Sequence, residues 1–333
     1  MVSQIENYQR LGFPSKNAYS FPAIVNVEVY RGTCPCKCTH CPVGMVSPEN
    51  RDERFGNKGI DLSLYEKILN EVSEYPHASI RIHSVGEPLD WNELGDALMM
   101  HRNKSVKSWV FTSAVTNNRS LLETVCKNTS IIEVSVNSTT PDEYIEAKGV
   151  NAFRKVCENI KHMRQFIERK GLKTRLIVSR VQSLNKTKDD EFVQYWKASN
   201  LVDDAFVRSH HTYNDLLDEL DTGNTQKKYE PCLVHWARFN ISADGHAIVC
   251  FNELFKKRLD SSLIYGDVKS QKISEIWQGN KLTALRQAEL SSDYSRCSFE
   301  DVLPCKDCNS CQPLFGDRQT SEHQIKFIGG SNA

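Results

Sequence analysis

The stretch Thr33-Cys34-Pro35-Cys36-Lys37-Cys38-Thr39-His40-Cys41 sets four thiols within eight residues, directly behind the apolar run AIVNVEVY at 23–30. Taken as C-x3-C-x2-C, Cys34, Cys38 and Cys41 form three corners of a cubane iron–sulfur cluster inside one loop, because short spacers let consecutive thiolates converge. Three protein ligands leave one iron open to a substrate or cofactor. Cys36 falls outside the spacing and reads as a free thiol beside the cluster. The competing reading is a zinc knuckle, which needs a fourth ligand to close the site.

Working outward, residues 23–30 are rich in β-branched side chains and predict a strand feeding the cysteine loop. Leu62, Tyr65, Ile68, Leu69 and Val72 follow helical spacing, and further strands are predicted at 79–83, 108–112, 131–136, 173–180 and 204–209. Helical patterns lie between them, notably at 153–168 and 189–199. Six β/α units imply a parallel sheet with right-handed crossovers, and functional groups are expected at the carboxyl ends of the strands. The pattern alone fits either an open doubly wound sheet or part of a barrel.

The 333 residues contain 42 basic and 42 acidic side chains, 39% hydrophobic residues and 25% charged ones, so the chain has a core to build and no net charge. A balanced charge gives no overall pull toward nucleic acid or an anionic membrane. Residues 1–19 show no basic-then-apolar signal pattern, and no apolar stretch has the length of a bilayer span, so a cytoplasmic location is expected. In that reducing compartment twelve cysteines favour cluster ligation over disulfides. Cys126 and Cys157 sit within apolar helical patterns and read as buried thiols.

The C-x3-C-x2-C loop resembles the radical S-adenosylmethionine superfamily, whose open iron is chelated by the amino and carboxylate groups of that cofactor. The resemblance implies a partial (β/α)6 barrel. Strand 79–83 runs into Gly86-Glu87-Pro88, similar to the superfamily's glycine–glycine–glutamate stretch that receives the cofactor's ammonium group, with Val85 in place of the first glycine. Ser135-Val-Asn137 resembles the Ser-x-Asp that binds the ribose hydroxyls, with an amide where the carboxylate is usual. His40 occupies the position of the aromatic residue against the adenine, and Thr112 and Ser113 are expected to line the same pocket.

Past Asn214 the polar run NDLLDELDTGNTQKK reads as a linker. The expected division is an N-terminal extension at 1–22, the barrel at 23–213, a linker at 214–230 and a small domain at 231–333. Asp244-Gly245 predicts a hairpin turn that brings Cys232 and Cys250 together. This segment, with Cys305-Lys-Asp-Cys308-Asn-Ser-Cys311, resembles the SPASM and twitch extensions of the same superfamily. The resemblance implies one auxiliary iron–sulfur cluster, a [4Fe–4S], held by Cys232, Cys250, Cys305 and Cys308, with Cys311 as the rival fourth ligand and Cys297 spare. A zinc ribbon or a disulfide-linked tail is the alternative.

The implied activity is reductive cleavage of S-adenosylmethionine and abstraction of a substrate hydrogen, fed by a flavodoxin- or ferredoxin-type reductant. With an electron-accepting auxiliary cluster the net reaction is a two-electron oxidation, and the expected substrate is a small-molecule sugar or aminocyclitol alcohol. Epimerisation, with Cys36 or Cys311 as hydrogen donor, and peptide modification are the alternatives. The 22 residues before the first strand are too few for a separate leader-binding domain, which favours the small molecule. Arg180, Arg208, His210 and His211, at the last two strand ends, are the candidates for binding substrate or moving its proton. An electron carrier without catalysis is the remaining class, set apart by carriers saturating their irons with protein thiolates.

Overall fold

The computed structural model describes residues 20–214, 216–217, 231–306, 308 and 324. The strands are β1 (Ile24–Arg31), β2 (Lys58–Gly59), β3 (Ser79–Val85), β4 (Lys107–Thr112), β5 (Ile131–Ser135), β6 (Arg175–Val181), β7 (Asp204–Arg208), β8 (Arg238–Ile241), β9 (His246–Ile248) and β10 (Ile264–Asp267). The helices are α1 (Pro42–Met45), α2 (Arg51–Phe55), α3 (Leu62–Ser73), α4 (Leu94–Lys104), α5 (Arg119–Asn128), α6 (Pro141–Lys148), α7 (Phe153–Arg169), α8 (Lys186–Ala198), α9 (Leu233–Trp236), α10 (Ile273–Trp277) and α11 (Asn280–Ser291). None of the described helices is long and apolar enough to cross a membrane.

Six strands, β1-β3-β4-β5-β6-β7, pair in parallel in chain order. β1, β3, β4, β5 and β6 are each followed by helical structure packed on one face, the arrangement of a partial (β/α)6 barrel. Alternation divides each strand between two environments. Val25, Val27, Val29, Ile80, Ile82, Val110, Ile132, Val134, Leu176 and Val178 pack against the helices in the main core. Their neighbours Ile24, Trp109, Ile131, Ile177 and Phe206 form a second cluster on the opposite face of the sheet, closed by Leu233 and Trp236.

The sheet does not stop with the barrel. Strand β8 joins the free edge of β1 in parallel, and β9 and β10 follow antiparallel, giving one ten-stranded sheet. The turn at Asp244-Gly245 lies between β8 and β9, where the Asp-Gly signal places it. The segment at 231–306 therefore shares both sheet and apolar core with the barrel: Phe239, Ile241, Ala247, Val268, Ile276 and Trp277 belong to the same buried cluster as β1 and α3. Three polar clamps hold it there. The buried Glu28 carboxylate accepts from Arg31 Nε and Nη2 at 3.0 and 2.6 Å and from Ala243 N at 2.8 Å. Glu71 of α3 accepts the orphan Ile273 and Ser274 amides at 2.8 and 2.9 Å, capping α10 from outside its own segment. Lys67 Nζ donates to the Val268 and Lys269 carbonyls, both at 2.7 Å. The linker expected at 214–230 and the extension at 1–22 lie almost wholly outside the described residues.

Between α3 and α4, His101 is buried with Nδ1 donating to the Val106 carbonyl at 3.3 Å and Nε2 at 2.6 Å from the Tyr65 hydroxyl. Burial pushes its pKa down to about 4 from an ordinary 6.5. The unfolded ring takes up a proton that the folded ring refuses, so stability falls as pH drops from about 6.5 to about 4 and levels off below. A shift of this size is worth about 3 kcal/mol. Urea unfolding of the apo-protein across that range is expected to lose this amount, and His101→Leu to flatten that part of the pH slope; an equal slope in both proteins would contradict the assignment.

Candidate cluster and cofactor sites

The cysteine loop leaves β1 and is held from three sides by backbone. Gly32 N donates to Val85 O at 2.9 Å, Thr33 O accepts from Glu87 N at 2.9 Å, and Lys37 N donates to Lys148 O at 2.8 Å. Two glycines make this approach possible: a Cβ at Gly86 or at Gly149 would stand 2.6 Å from Thr33 O or Lys37 O, and both backbones have positive φ. Arg51, 3% exposed, donates from Nη1 to Cys34 O at 2.6 Å and from Nη2 to Cys36 O at 3.0 Å.

Inside this collar the thiols face one another. Hydrogen bonding from Cys34 raises the Cys36 thiol to about 11, and Cys36 in turn raises Cys38 to about 11. Burial, then Cys38, raises Cys41 to about 11. Opposite them lies Lys148 at the end of α6, 2% exposed, with Nζ donating to Ser135 Oγ at 3.0 Å. Burial works against its charge, but the thiols, Cys38 first, more than offset it, so its pKa stands above the ordinary value. A buried ammonium facing a set of soft sulfur donors suits a negatively charged thiolate-ligated cluster.

The expected cofactor residues fall into two groups. Glu87, 2% exposed, is spent inside the protein: it accepts from Thr112 Oγ1 at 2.6 Å, Ser113 N at 2.8 Å, Ser113 Oγ at 2.5 Å and Leu89 N at 3.3 Å. Its carboxylate thus ties the end of β3 to the end of β4, and Thr112 and Ser113 serve as its donors. Pro88 is buried and opens the short turn behind it. The second group meets in a cavity of about 470 Å³, where Thr39 and His40 of the cysteine loop face Asn137, Arg180 and His210. Asn137 takes a left-handed φ of 65°, tolerated by asparagine better than by most residues. Its Nδ2 donates to Ser135 Oγ at 3.0 Å and its Oδ1 accepts from Val181 N at 2.6 Å.

Of the substrate candidates, Arg180 donates from Nε to Asp189 at 2.6 Å and from Nη1 to Asn137 O and Glu143 at 2.7 and 2.6 Å, which makes it the brace of the cavity floor. His210 lines the same cavity, and burial lowers its pKa. His211 sits against Tyr213, ring centres 6.2 Å apart. Arg208 lies elsewhere: its guanidinium pairs with Glu133 Oε1 and covers the Phe111 ring at 4.5 Å.

That pair belongs to a polar constellation on the inner face of the sheet that sequence reasoning overlooks. Arg81 lies over Phe111 and Trp109 at 4.2 and 4.8 Å, and the His83 ring lies 4.6 Å from both Phe111 and Phe251. Glu133 is fully buried, and its Oε2 has no hydrogen-bond partner among the described residues. The readable signal was a charged or polar side chain at period two in an otherwise apolar strand: Asn26 and Glu28, Arg81 and His83, Glu133, Arg208.

The second thiol set gathers behind Phe251. Burial raises the Cys250 thiol, with Cys308 and Cys232 adding to the effect, and the same holds for Cys305, which feels Cys232, Cys250 and Cys308. Cys297, 4% exposed, packs into the neighbouring apolar cluster with Leu285, Tyr294 and Phe299. Cys311 lies outside the described residues. Cys126 is buried in the main core and Cys157 packs against it. Among the described residues no three His, Cys, Asp or Glu side chains converge on a single-ion site. The two thiol sets rest on different apolar clusters: Cys34 and Cys41 pack against Val43, Val85, Ile248, Leu254 and Phe255, and Cys250 and Cys305 against Val249, Leu263 and Leu285.

Removing the Glu87 carboxylate strands its buried donors. Glu87→Ala is expected to destabilise the apo-protein by roughly 2 kcal/mol or more, the scale of hydrogen bonds to a buried charged group. An unchanged urea midpoint would show that β3 and β4 do not depend on it.

Comparison with known proteins adds the following. The family described as SPASM, iron–sulfur cluster-binding domain, matches residues 232–311. Streptococcus suis SuiB bound to precursor peptide SuiA is 14% identical, with 84% of this chain and 68% of that chain covered and a TM-score of 0.60. BtrN in complex with AdoMet and 2-DOIA is 17% identical, covering 88% and 97%, TM-score 0.53. Native anSMEcpe with bound AdoMet is 14% identical, covering 92% and 95%, TM-score 0.60. No curated protein matches the sequence. The chain thus shares its fold with SuiB, BtrN and anSMEcpe, and its residues 232–311 match the family described as SPASM, iron–sulfur cluster-binding domain.

Proposed function

We propose that this chain is a radical S-adenosylmethionine oxidoreductase that oxidises an alcohol carbon of a small sugar or aminocyclitol. The observation that carries the reading is a pair of thiol sets borne by one continuous sheet, Cys34 to Cys41 after β1 and Cys250 after β9, beside a barrel interior lined with paired charges. Cys34, Cys38 and Cys41 would hold the [4Fe–4S] cluster, and Cys232, Cys250, Cys305 and Cys308 the auxiliary cluster. The backbone at Gly86 to Pro88, together with Ser135, Asn137 and His40, would frame S-adenosylmethionine, with the Glu87 carboxylate bracing that backbone from inside. The cluster and cofactor held there would supply hydrogen-atom abstraction from a substrate carbon.

The protein's own part is orientation, exclusion of water and charge. Lys148 offsets the thiolate charge of the cysteine loop. Arg208, locked by Glu133, and the aromatic faces of Phe111 and Phe251 would position a compact polar substrate between the thiol sets. A base would take the hydroxyl proton, and the auxiliary site, if it holds a cluster, would supply an acceptor for the remaining electron, so that the substrate would lose two hydrogens. His210, held neutral more readily by its lowered pKa, is the candidate base. The BtrN complex with 2-DOIA, 97% of whose chain is covered, supports a small molecule. The SuiB complex with a precursor peptide supports peptide modification as the second reading. Of the two thiols considered for epimerisation, Cys36 is 1% exposed and engaged with Cys34 and Cys38, and Cys311 lies outside the described residues.

Anaerobically reconstituted protein with reductant and S-adenosylmethionine is expected to release 5′-deoxyadenosine, and Cys38→Ala to release none while keeping its auxiliary iron. Equal release from Cys38→Ala would overturn the loop assignment. With a panel of aminocyclitols and sugars, the wild-type product is expected to be two hydrogens lighter than substrate. Cys250→Ala, checked for solubility and iron content, is expected to make 5′-deoxyadenosine without oxidised product. A product of unchanged mass bearing one solvent deuterium would establish epimerisation, and turnover of a peptide alone would establish the second reading.

A further inference from the structure

The polar constellation on the inner face of the sheet contains one ion pair that is only half made. Arg208 turns both Nε and Nη2 to Glu133 Oε1, where a guanidinium facing a carboxylate commonly forks across two oxygens. Glu133 Oε2, on a side chain 0% exposed, accepts from none of the described residues, and Arg208 Nη1 has no acceptor among them. A second interior atom is also unmet: Trp109, 1% exposed and stacked on Phe111 with ring centres 5.4 Å apart, finds no acceptor for Nε1 among the described residues. Buried polar atoms without a partner are uncommon, and each costs free energy until a partner arrives. Register places the open oxygen. Phe111 pairs with Glu133 across β4 and β5, and Ser135 of the proposed cofactor frame lies two residues further along the same face of β5. The carboxylate therefore sits one side-chain layer, about 7 Å along the strand, below that frame. On the other side the His83 ring lies 4.6 Å from both Phe111 and Phe251, and Phe251 packs on the apolar cluster that also bears Cys34 and Cys41. Entry is one-sided, because Glu133 is closed off while the Arg208 side chain is 23% exposed, so a guest reaches Oε2 past the guanidinium.

We propose that Glu133 Oε2 and Arg208 Nη1 form a hydroxyl subsite: they hold one non-reacting hydroxyl of the substrate, which donates to the carboxylate and accepts from the guanidinium, and they select a neutral hydroxyl at that position. This rests on the proposed function in taking the barrel interior as the substrate site. A hydroxyl is both donor and acceptor, so a single group meets both open atoms. An ammonium cannot accept from Nη1, and it would stand among two guanidiniums, since Arg81 and Arg208 lie over the same Phe111 ring at 4.2 and 4.5 Å. A carboxylate cannot donate to Oε2 and is repelled by it. The Glu133–Arg208 pair is neutral as a whole, so what it adds is hydrogen-bond geometry. Both residues are on this account binding residues that set specificity, with no part in proton transfer.

The probes are the panel compound that the wild type oxidises, its monodeoxy analogues and the matching amino-deoxy analogues, assayed for KM and kcat with the anaerobically reconstituted full chain. Loss of one particular non-reacting hydroxyl is expected to raise KM by about tenfold or more with little change in kcat, the scale of buried polar groups left unmet. An amine at that position is expected to bind no better than hydrogen. The double variant Glu133→Leu with Arg208→Met replaces the pair by apolar side chains of similar volume, an exchange that buried ion pairs often tolerate. In it the intact compound is expected to bind as weakly as the deoxy analogue binds the wild type, and the penalty for losing the hydroxyl to fall below about twofold, as for uncoupled groups. An equal penalty in both proteins overturns the subsite. So does an amino-deoxy analogue that binds the wild type more tightly than the parent compound, or a wild type indifferent to every non-reacting hydroxyl; these two are read on the wild type alone and decide the matter if the variant does not fold. If no panel compound is oxidised, the proposed function fails and the subsite falls with it.

Discussion

Strand β1 is the constraint on which the rest of the molecule depends. It is hydrogen-bonded on both edges, to β3 on the barrel side and to β8 on the other, and it ends directly in the cysteine loop. The geometry of the thiols is therefore inherited from a strand whose φ and ψ are fixed by two neighbours. The same strand carries Glu28, whose carboxylate reaches the Ala243 amide in the β8–β9 hairpin that leads to Cys250. One strand thus helps to set the position of both thiol sets.

The buried charges have a common pattern. Glu28 with Arg31, Arg180 with Asp189 and Glu143, Glu133 with Arg208, and Glu289 with His235 are all paired, and each joins segments distant in sequence or braces a strand end. Desolvation consumes much of the Coulomb attraction of such pairs, so their value lies in fixing geometry more than in net stability. Glu87 belongs here too. Sequence reasoning casts it as a receptor for an ammonium group, yet its donors are hydroxyls and amides of β4 and its own turn. What it demonstrably orders is the junction of strand ends against which the cysteine loop rests.

The strands and most helices were legible because each has a single apolar period. The helix at Leu62–Ser73 and the strand at Ile131–Ser135 fall where spacing alone puts them, to within a residue. The hairpin at Asp244-Gly245 was legible because few other dipeptides turn so tightly. The barrel interior was not read, although its signal was present. Arg81, His83 and Glu133 interrupt apolar strands at period two, and sequence reasoning assigned them no role. Their partners, Phe111, Phe251 and Arg208, come from other strands and loops, so no local window contains the constellation.

By itself the sequence determined what short-range chemistry can determine: a loop whose spacing brings three thiols together, an alternation of strand and helix, and a turn that folds Cys250 back toward Cys232. Only the tertiary structure decided what depends on strands meeting at a distance. It placed β8 on the open edge of β1, so that two expected domains share one sheet. It set Lys148 opposite the thiols, turned Glu87 inward to β4, and aimed His235 at Cys305 across 70 residues. The physical reason is that backbone period is a local property of the chain, whereas the partner of a buried charge is chosen by which segments pack against it.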